Sequence, residues 1–288
     1  MSLPLEGTRA LVTGGNSGIG KETAVALAGM GAQVAIASRN TVKGENARRE
    51  IKERAGTDVE VLSLDLASFA SVRACAEHYT ATHDRLDMLV NNAGIIVRER
   101  RVTEDGHEMQ FQVNHLGHFL LTSLLRDLLV ASAPARVVAT ASDAHRFVRR
   151  GIRFDDLEWE QRRYGIGFAC YSTTKLMNIL FTRELARTLD ATGVTANAVH
   201  PGFVASNFAR EGDTGRLGNA AMVLGRPFAI SNEKGARTSV FVASSPTLNG
   251  VTGQYFAKSR FANPTRKARD DDTAARLWAI SAELTDTG

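Results

Sequence analysis

Short apolar runs alternate with longer helical patterns along this chain as far as about residue 200. The runs have the length of strands and are rich in Val, Leu, Ile and Ala, and the segments between them repeat apolar positions at helical spacing. The predicted strands are 9–12, 34–37, 59–64, 88–90, 137–140 and 194–199. The predicted helices are 21–28, 43–55, 68–82, 108–131 and 173–192.

This alternation predicts an α/β fold. Repeated strand–helix–strand units with short apolar strands form a doubly wound parallel sheet of the Rossmann type, with right-handed crossovers and helices on both faces. No internal repeat or linker divides the 288 residues, so we expect one domain over 1–288, with a small substrate lid at about 205–232. The irregular segments 143–168 and 205–232 follow strand ends, where ligands bind in such sheets.

A glycine-rich turn, TGGNSGIG at 13–20, joins the first predicted strand to the first predicted helix. Such a turn exposes backbone N–H groups and the positive end of a helix dipole, which suit a dinucleotide pyrophosphate. The spacing is G-x-x-x-G-x-G, and no Gly-Lys-Ser/Thr follows as in a P-loop. The candidate cofactor ligands here are Gly14, Asn16, Ser17, Gly18, Ile19 and Gly20.

The end of the second strand indicates which dinucleotide is bound. Dinucleotide folds often place an acidic residue there to bind the ribose 2′-OH, but residues 36–40 contain no carboxylate and include Arg39. A guanidinium would pair with a 2′-phosphate, so we predict NADP(H); an exposed loop arginine without a ligand is the alternative. Asp65 and Leu66, after the third strand, are candidates for the adenine side, although Asp65 could instead cap the helix near Ser68.

Tyr171 and Lys175 lie four residues apart, on one face of a predicted helix. A phenol with a pKa near 10 is a poor acid–base catalyst at neutral pH unless a cation stabilises its phenolate. Lys175 could supply that cation, and Ser142, just beyond the fifth strand, could polarise a substrate carbonyl. A solvated surface pair is the alternative interpretation of Tyr171 and Lys175.

A set of motifs in this order along the chain resembles that of the short-chain dehydrogenase/reductase family. The set consists of the glycine loop at 13–20, residues 91–94, Asn114, Ser142, the Tyr171/Lys175 pair and Pro201-Gly202. The resemblance implies that Tyr171 is the general acid/base, that Lys175 lowers the pKa of Tyr171 and binds the nicotinamide ribose, and that Ser142 orients the carbonyl. It also implies that Asn114 holds a water that extends the proton relay from Lys175. Further cofactor contacts are implied for Asn92, Ala93 and Gly94 at the fourth strand, and for Pro201, Gly202, Phe203 and Val204 over the nicotinamide.

A narrower resemblance, to the retinol dehydrogenase branch of this family, extends almost to the end of the chain. It rests on 112–119, 154–157, 199–202, 253–256 and 275–278. It implies a lipophilic alcohol or carbonyl substrate used with NADP. The chain departs from the branch in having Ala141 before Ser142, where a Ser-Ser pair is common, and in lacking the N-terminal membrane anchor of several members.

Composition and charge limit the other function classes. The net charge is +4, and the arginines between 146 and 163 form a dense patch without a nucleic-acid-binding motif, so no nucleic-acid partner is expected. Two cysteines are too few for a disulfide framework, and no signal peptide or membrane-length apolar run is present. We therefore expect a cytoplasmic protein without a membrane span.

Several side chains beside these motifs have ordinary interpretations. His115 and His118 are expected to pack or hydrogen-bond rather than bind metal, because no third ligand has metal spacing, and Cys170 is expected to be a buried, inert thiol. The aromatic side chains of the 143–168 segment and its neighbour could be core or could line an apolar substrate pocket. They are Phe147, Phe154, Trp159, Tyr164 and Phe168.

The function predicted from these features is an NADP(H)-dependent oxidoreductase for a small-molecule alcohol/carbonyl pair. A non-catalytic NADP-binding sensor or scaffold could use the same fold, although regulatory relatives typically lack the Tyr or the Lys. A sugar-nucleotide epimerase or dehydratase would usually have a longer C-terminal domain. The predicted helices 108–131 and 173–192 suit the helix-mediated homodimer or homotetramer typical of the family.

Overall fold

Eight strands form one sheet in the computed structural model, which describes residues 3–202 and 230–287. The strand order is β3-β2-β1-β4-β5-β6-β7-β8, and all neighbours are parallel except the last pair. Since the chain runs outward from β1 in one direction and then returns to its other side at β4, the switch point lies between these strands. The strands are β1 Arg9–Thr13, β2 Gln33–Ser38, β3 Glu60–Ser63, β4 Met88–Asn91, β5 Arg136–Thr140, β6 Thr195–His200, β7 Tyr255–Ala257 and β8 Arg260–Phe261.

Helices cover both faces of the sheet, because the strand side chains are apolar on both sides. In β1, Leu11 packs in one core with residues of α3, α5 and α7, whereas Ala10 and Val12 pack in the other with residues of α1, α2 and α8. This confirms the predicted doubly wound α/β fold. The helices are α1 Gly18–Gly29, α2 Thr41–Ala55, α3 Phe69–Thr82, α4 Met109–Phe111, α5 Gly117–Leu124, α6 Arg126–Ala131, α7 Phe168–Thr188, α8 Asn232–Ser244 and α9 Asp271–Leu284.

The prediction of one continuous helix over 108–131 is wrong, because this segment is interrupted twice. A π turn at Gln112–Leu116 separates α4 from α5, and the helix breaks again at Leu125 before α6. Neither interruption contains a Gly or Pro, although Gly117 directly follows the π turn, and apolar periodicity alone did not reveal them. The π turn widens the helix at Asn114, a predicted site residue.

The predicted helix 173–192 begins earlier, at Phe168, and ends at Thr188. Gly167 sets this start: its φ is +73°, and a Cβ there would lie 1.7 Å from the carbonyl oxygen of Val97. The close approach of two chain segments therefore decides where the helix begins. As a result, Tyr171 lies in the first turn of α7.

The short strands β7 and β8 were not predicted from the sequence, because runs of three and two residues carry no periodic signal. The predicted lid lies outside the described residues apart from 230–232, and so do Phe203 and Val204. Within the described ranges, no helix is long and apolar enough to span a membrane.

Candidate active site and cofactor cleft

A cleft of about 870 Å³ opens at the carboxyl ends of β1 to β4. This is the switch point of the sheet, where open α/β folds bind their ligands. The predicted cofactor residues of the glycine loop, β2, β3 and β4 all line it: Gly14, Asn16, Ser17, Gly18, Ile19, Gly20, Arg39, Asp65, Leu66, Asn92, Ala93 and Gly94.

The glycine loop leaves the first turn of α1 open to a ligand. A Cβ at Gly20 would lie 2.4 Å from the carbonyl oxygen of Gly14, so only glycine allows the loop to fold this closely against the helix. Ser17 precedes α1 without a side-chain capping hydrogen bond, and no acidic side chain occupies the first turn. The N-terminal N–H groups and the helix dipole are thus available to an anion such as a pyrophosphate.

The hydroxyl of Thr13 joins the glycine loop to β4. Its Oγ1 accepts hydrogen bonds from the backbone N–H groups of Asn92, at 2.9 Å, and Ala93, at 3.0 Å, and it donates to Nε2 of His118 at 2.9 Å. The Asn92 amide in turn donates to the Thr13 carbonyl at 2.9 Å. Sequence reasoning missed this role, because a threonine at a strand end has no distinctive pattern.

Asn114 holds the next part of the cleft wall. Its Oδ1 accepts from the backbone N–H of Ile95 at 2.7 Å, and its Nδ2 donates to the Ile95 carbonyl at 2.9 Å and to the Thr174 hydroxyl at 3.1 Å. The side chain is therefore committed to Ile95 and Thr174 rather than to Lys175. The water-binding role implied for Asn114 stays a prediction.

Arg39 lies exposed at the end of β2, and no described residue pairs with it. The adjacent start of α2 is capped by Asn40, whose Oδ1 accepts from the backbone N–H of Lys43 at 2.9 Å. Among the described lining residues, Asp65 is the only acidic one. The described lining residues at the β2 end of the cleft therefore carry the positive charge of Arg39 and no carboxylate.

The alternative prediction that Asp65 caps α3 is wrong. Ser68 is the N-cap and accepts from the backbone N–H of Ser71 at 3.3 Å, whereas Oδ1 of Asp65 accepts from the backbone N–H of Ala67 at 3.0 Å. Asp65 thus stays a candidate for the adenine side. Sequence reasoning also missed lining residues contributed by the start of α2 and by the loop after β4: Ser38, Asn40, Thr41, Lys43, Ile95, Val97 and Arg101.

The structure brings Ser142, Tyr171 and Lys175 together at the end of β5. Ser142 begins a 3₁₀ turn at Asp143–Phe147, and a hydrogen bond joins it to the Tyr171 hydroxyl. Nζ of Lys175 lies 5.5 Å from the centre of the Tyr171 ring and donates to the carbonyl of Thr140 at 3.0 Å. Asn178 donates to the same carbonyl at 3.1 Å. The surface-pair interpretation of Tyr171 and Lys175 is wrong, because Lys175 is buried.

Pro201 and Gly202 lie at the same sheet edge, directly after β6. His200, the last residue of that strand, accepts at Nδ1 from the backbone N–H of Asp143 at 3.3 Å, which connects β6 to the Ser142 turn. Gly202 has φ +95°, and a Cβ there would lie 2.8 Å from Cδ1 of Ile230. Neither residue lines the cleft described above.

The sequence profile of the short chain dehydrogenase family matches residues 8–151 and 161–216. The chain belongs to this family. It is 44% identical to retinol dehydrogenase 14 of Homo sapiens, over 96% of this chain and 86% of that protein. It is 45% identical to retinol dehydrogenase 12 of Mus musculus, over 98% of this chain and 88% of that protein. The predicted resemblance to retinol dehydrogenases is confirmed.

Solved structures place this short-chain dehydrogenase in the same fold. A protein of unassigned function from Mycobacterium paratuberculosis aligns with a TM-score of 0.79 and 36% identity, covering 99% of this chain and 96% of its own. A protein described as an NAD(P)-dependent gluconate 5-dehydrogenase from Beutenbergia cavernae, with bound NADP, aligns with a TM-score of 0.70 and 29% identity, covering 88% and 96%. The cytoplasmic location and the oligomeric state stay predictions.

Burial moves the pKa values of the two central groups of this dehydrogenase apart. It raises the pKa of Tyr171 to about 12, against a lowering effect of the Ser142 hydrogen bond. It lowers the pKa of Lys175 to about 8. At neutral pH the phenol is therefore protonated and most of the lysine is charged, which is the arrangement of a proton donor beside a cation.

The predicted aromatic set divides between core and rim. Trp159 is buried beneath the guanidinium of Arg162, which lies 3.7 Å from its ring centre. Phe147 and Phe168 are 67% and 37% exposed and meet edge to face at 5.4 Å, and Phe168 lies 6.4 Å from the ring of Tyr171. An apolar rim therefore adjoins the phenol of Tyr171, the predicted general acid/base.

The other predicted packing residues have structural partners. His115 pairs with the Ser281 hydroxyl at 2.8 Å and stacks on Phe111. Cys170 donates to the carboxylate of buried Glu108 at 3.1 Å, and burial raises the pKa of its thiol. A buried, protonated thiol agrees with the predicted inert role.

Replacement of Thr13 by Val should loosen the junction between β1 and β4. The backbone N–H groups of Asn92 and Ala93 would lose their acceptor, at a cost of about 1–3 kcal/mol for each unsatisfied group. We expect the free energy of unfolding, measured by denaturant titration, to fall by about 2 kcal/mol or more. Thr13→Ser keeps the hydroxyl and should stay near the wild type; equal losses in both variants would contradict the role of the hydroxyl.

Proposed function

We propose that this short-chain dehydrogenase is an NADP(H)-dependent oxidoreductase for a lipophilic alcohol/carbonyl pair. The observation that carries the proposal is the hydrogen-bonded Ser142–Tyr171 pair beside buried Lys175 at the end of β5. This strand pairs with β4, where the cleft that suits a dinucleotide opens, although none of the three residues lines that cleft. A non-catalytic NADP sensor would have no need for this acid–base apparatus.

The proposed chemistry is a hydride transfer coupled to a proton transfer. When bound, the nicotinamide would supply or accept the hydride. In the reducing direction, Tyr171 gives its phenolic proton to the carbonyl oxygen while the Ser142 hydroxyl donates a hydrogen bond to the same oxygen. The ammonium of Lys175 stabilises the phenolate that remains. In the oxidising direction the phenolate takes the alcohol proton back.

The preference for NADP(H) is supported by Arg39. It is exposed at the β2 end of the cleft and pairs with no residue in the described part of the chain. It lies beside the start of α2, whose first turn contains no acidic side chain. A guanidinium pairs well with a phosphate dianion and would leave the ribose hydroxyls of NAD(H) without a carboxylate partner. The Beutenbergia cavernae relative was solved with NADP, which agrees with this preference.

The lipophilic substrate class is supported by the apolar rim at Phe147 and Phe168, which are exposed and reach the ring of Tyr171. An apolar chain that covered these side chains would gain about 25 cal/mol for each square ångström removed from water. The names of the retinol dehydrogenase relatives point to the same class. Retinal and a long-chain aldehyde are therefore the first substrates to test.

Tyr171→Phe tests the assignment directly. NADPH oxidation by retinal, decanal and a quinone should fall at least about 100-fold, the usual contribution of a general acid. NADPH affinity, measured by fluorescence, should change less than about twofold, because the ring is kept. Tyr79→Phe removes a phenol outside the site and should stay active. Undiminished turnover in Tyr171→Phe would refute the mechanism, and NADPH binding without turnover of any carbonyl would favour the sensor.

Arg39→Asp tests the cofactor preference. Loss of a charge-assisted phosphate contact, together with new repulsion, should raise the dissociation constant for NADPH about 50-fold or more, since each 1.4 kcal/mol is tenfold. The constant for NADH should change at most about threefold. Arg49→Asp makes the same charge change on the exposed surface of α2 and should affect neither. Equal losses for NADPH and NADH in Arg39→Asp would contradict the preference.

The lowered pKa of Lys175 leads us to expect a loss of activity at alkaline pH. The kcat/KM for NADPH reflects ionisations of the ligand-free enzyme. It should fall above about pH 8, because the pKa of Lys175 is lowered to about 8 and its charge is lost there. Tyr171, with a pKa of about 12, stays protonated in that range. In Lys175→Arg the guanidinium keeps its charge. In that variant kcat/KM should therefore not fall below about pH 10, whatever its maximal rate. A fall that stayed near pH 8 would contradict the assignment.

A further inference from the structure

His145 is a fully buried imidazole with both ring nitrogens engaged, and the chemistry proposed above does not use it. Nδ1 donates to the main-chain carbonyl of Ser142 at 2.7 Å. Nε2 accepts from the backbone N–H of Thr265 at 3.2 Å. One nitrogen donates and the other accepts, so the ring is neutral with its proton on Nδ1. Burial, which lowers the pKa of His145, favours the same neutral form.

The ring connects two parts of the fold that are far apart in sequence. Ser142 and His145 belong to the turn that follows β5, whereas Thr265 lies beyond β8. Tyr255, in β7, packs edge to face against the imidazole with ring centres 5.4 Å apart. The C-terminal segment therefore buries the imidazole and supplies the partner of Nε2.

The carbonyl that His145 holds belongs to the residue whose hydroxyl faces Tyr171. Besides the imidazole, that carbonyl accepts the backbone N–H of His145 at 3.1 Å. The Ser142 hydroxyl accepts the backbone N–H of Ala144 at 3.1 Å and is bonded to Tyr171. Rotation of the peptide after Ser142 would change both of these contacts. A displacement of about 1 Å in a catalytic group costs about 100-fold in rate.

We propose that His145 is a positioning residue for Ser142: its Nδ1–H fixes the Ser142 peptide, and its Nε2 anchors that peptide to Thr265 of the C-terminal segment. This proposal rests on the function proposed above for Ser142. It makes Tyr255 of β7 and Thr265 beyond β8 part of the active-site framework.

Two amide variants separate the functions of the two nitrogens. Asn places an N–H donor near the position of Nδ1, whereas Gln reaches the position of Nε2 with an acceptor oxygen. His145→Asn should keep kcat within about fivefold, and His145→Gln should lose about 30- to 100-fold. The KM for NADPH should stay within about threefold in both, because His145 is not among the residues that line the cleft.

The pH profile supplies a readout that loss of packing alone would not change. Since the Ser142 hydrogen bond lowers the pKa of Tyr171, alcohol oxidation should require a higher pH in His145→Gln but not in His145→Asn. The other titratable and charged groups around this turn are Asp143, Arg146, His200 and Tyr255, and both variants leave them unchanged. Equal kcat losses in the two variants, in proportion to their melting temperatures and without a pH shift, would overturn the proposal.

Hydrogen–deuterium exchange tests the proposal without turnover. Exchange at the Ala144 amide, which is bonded to the Ser142 hydroxyl, should accelerate in His145→Gln only, and exchange at the Thr265 amide should accelerate in His145→Asn only. The reverse pattern, or no difference, would refute the positioning role. Ser142→Ala measured in the same assays keeps the two proposals apart: full activity in that variant would refute the proposed role of Ser142, whatever the exchange data show for His145.

Discussion

The Thr13 hydroxyl is the contact on which the arrangement of the cleft depends. It lies at the switch point of the sheet, where the chain leaves β1 toward the glycine loop and later returns along β4. Because it accepts two backbone N–H groups of the β4 loop and donates to His118, it holds both walls of the cleft at once. Burial lowers the pKa of His118 to about 3 and keeps its ring neutral. Nδ1 lies 3.4 Å from the main-chain carbonyl of Asn114 and can only donate to it, so Nε2 is the acceptor of the Thr13 bond.

Similar contacts between helices and strand ends position the candidate catalytic residues at the end of β5. The π turn widens the helix at Asn114, whose side chain clamps Ile95 and Thr174 between the cleft and α7. Lys175 is buried on α7 and donates to the Thr140 carbonyl, so its charge is confined beside Tyr171. Burial provides the electrostatic effect here, because a cation acts more strongly on a neighbouring phenol in a low dielectric than in water.

Sequence patterns were sufficient for the parts of the site that have local chemistry. Gly14, residues 16–20, Arg39 and residues 92–94 line the cleft, because a strand-to-helix turn and the end of a parallel strand each have a fixed place in such a sheet. Patterns failed where the cause was a contact between distant segments. Gly167 starts α7 because it meets Val97, and the π turn at Gln112–Leu116 has no local sequence signal.

By itself, the sequence determined the doubly wound α/β fold, the family and the candidate catalytic set, because these depend on apolar periodicity and on residues at short, regular spacing. Only the tertiary structure decided which hydroxyls and imidazoles hold that set in place. Thr13 with His118, and His145 with Thr265, are joined across more than a hundred residues. Such pairs leave no periodic trace in the chain, since their hydrogen bonds depend on where the sheet brings separate strand ends together.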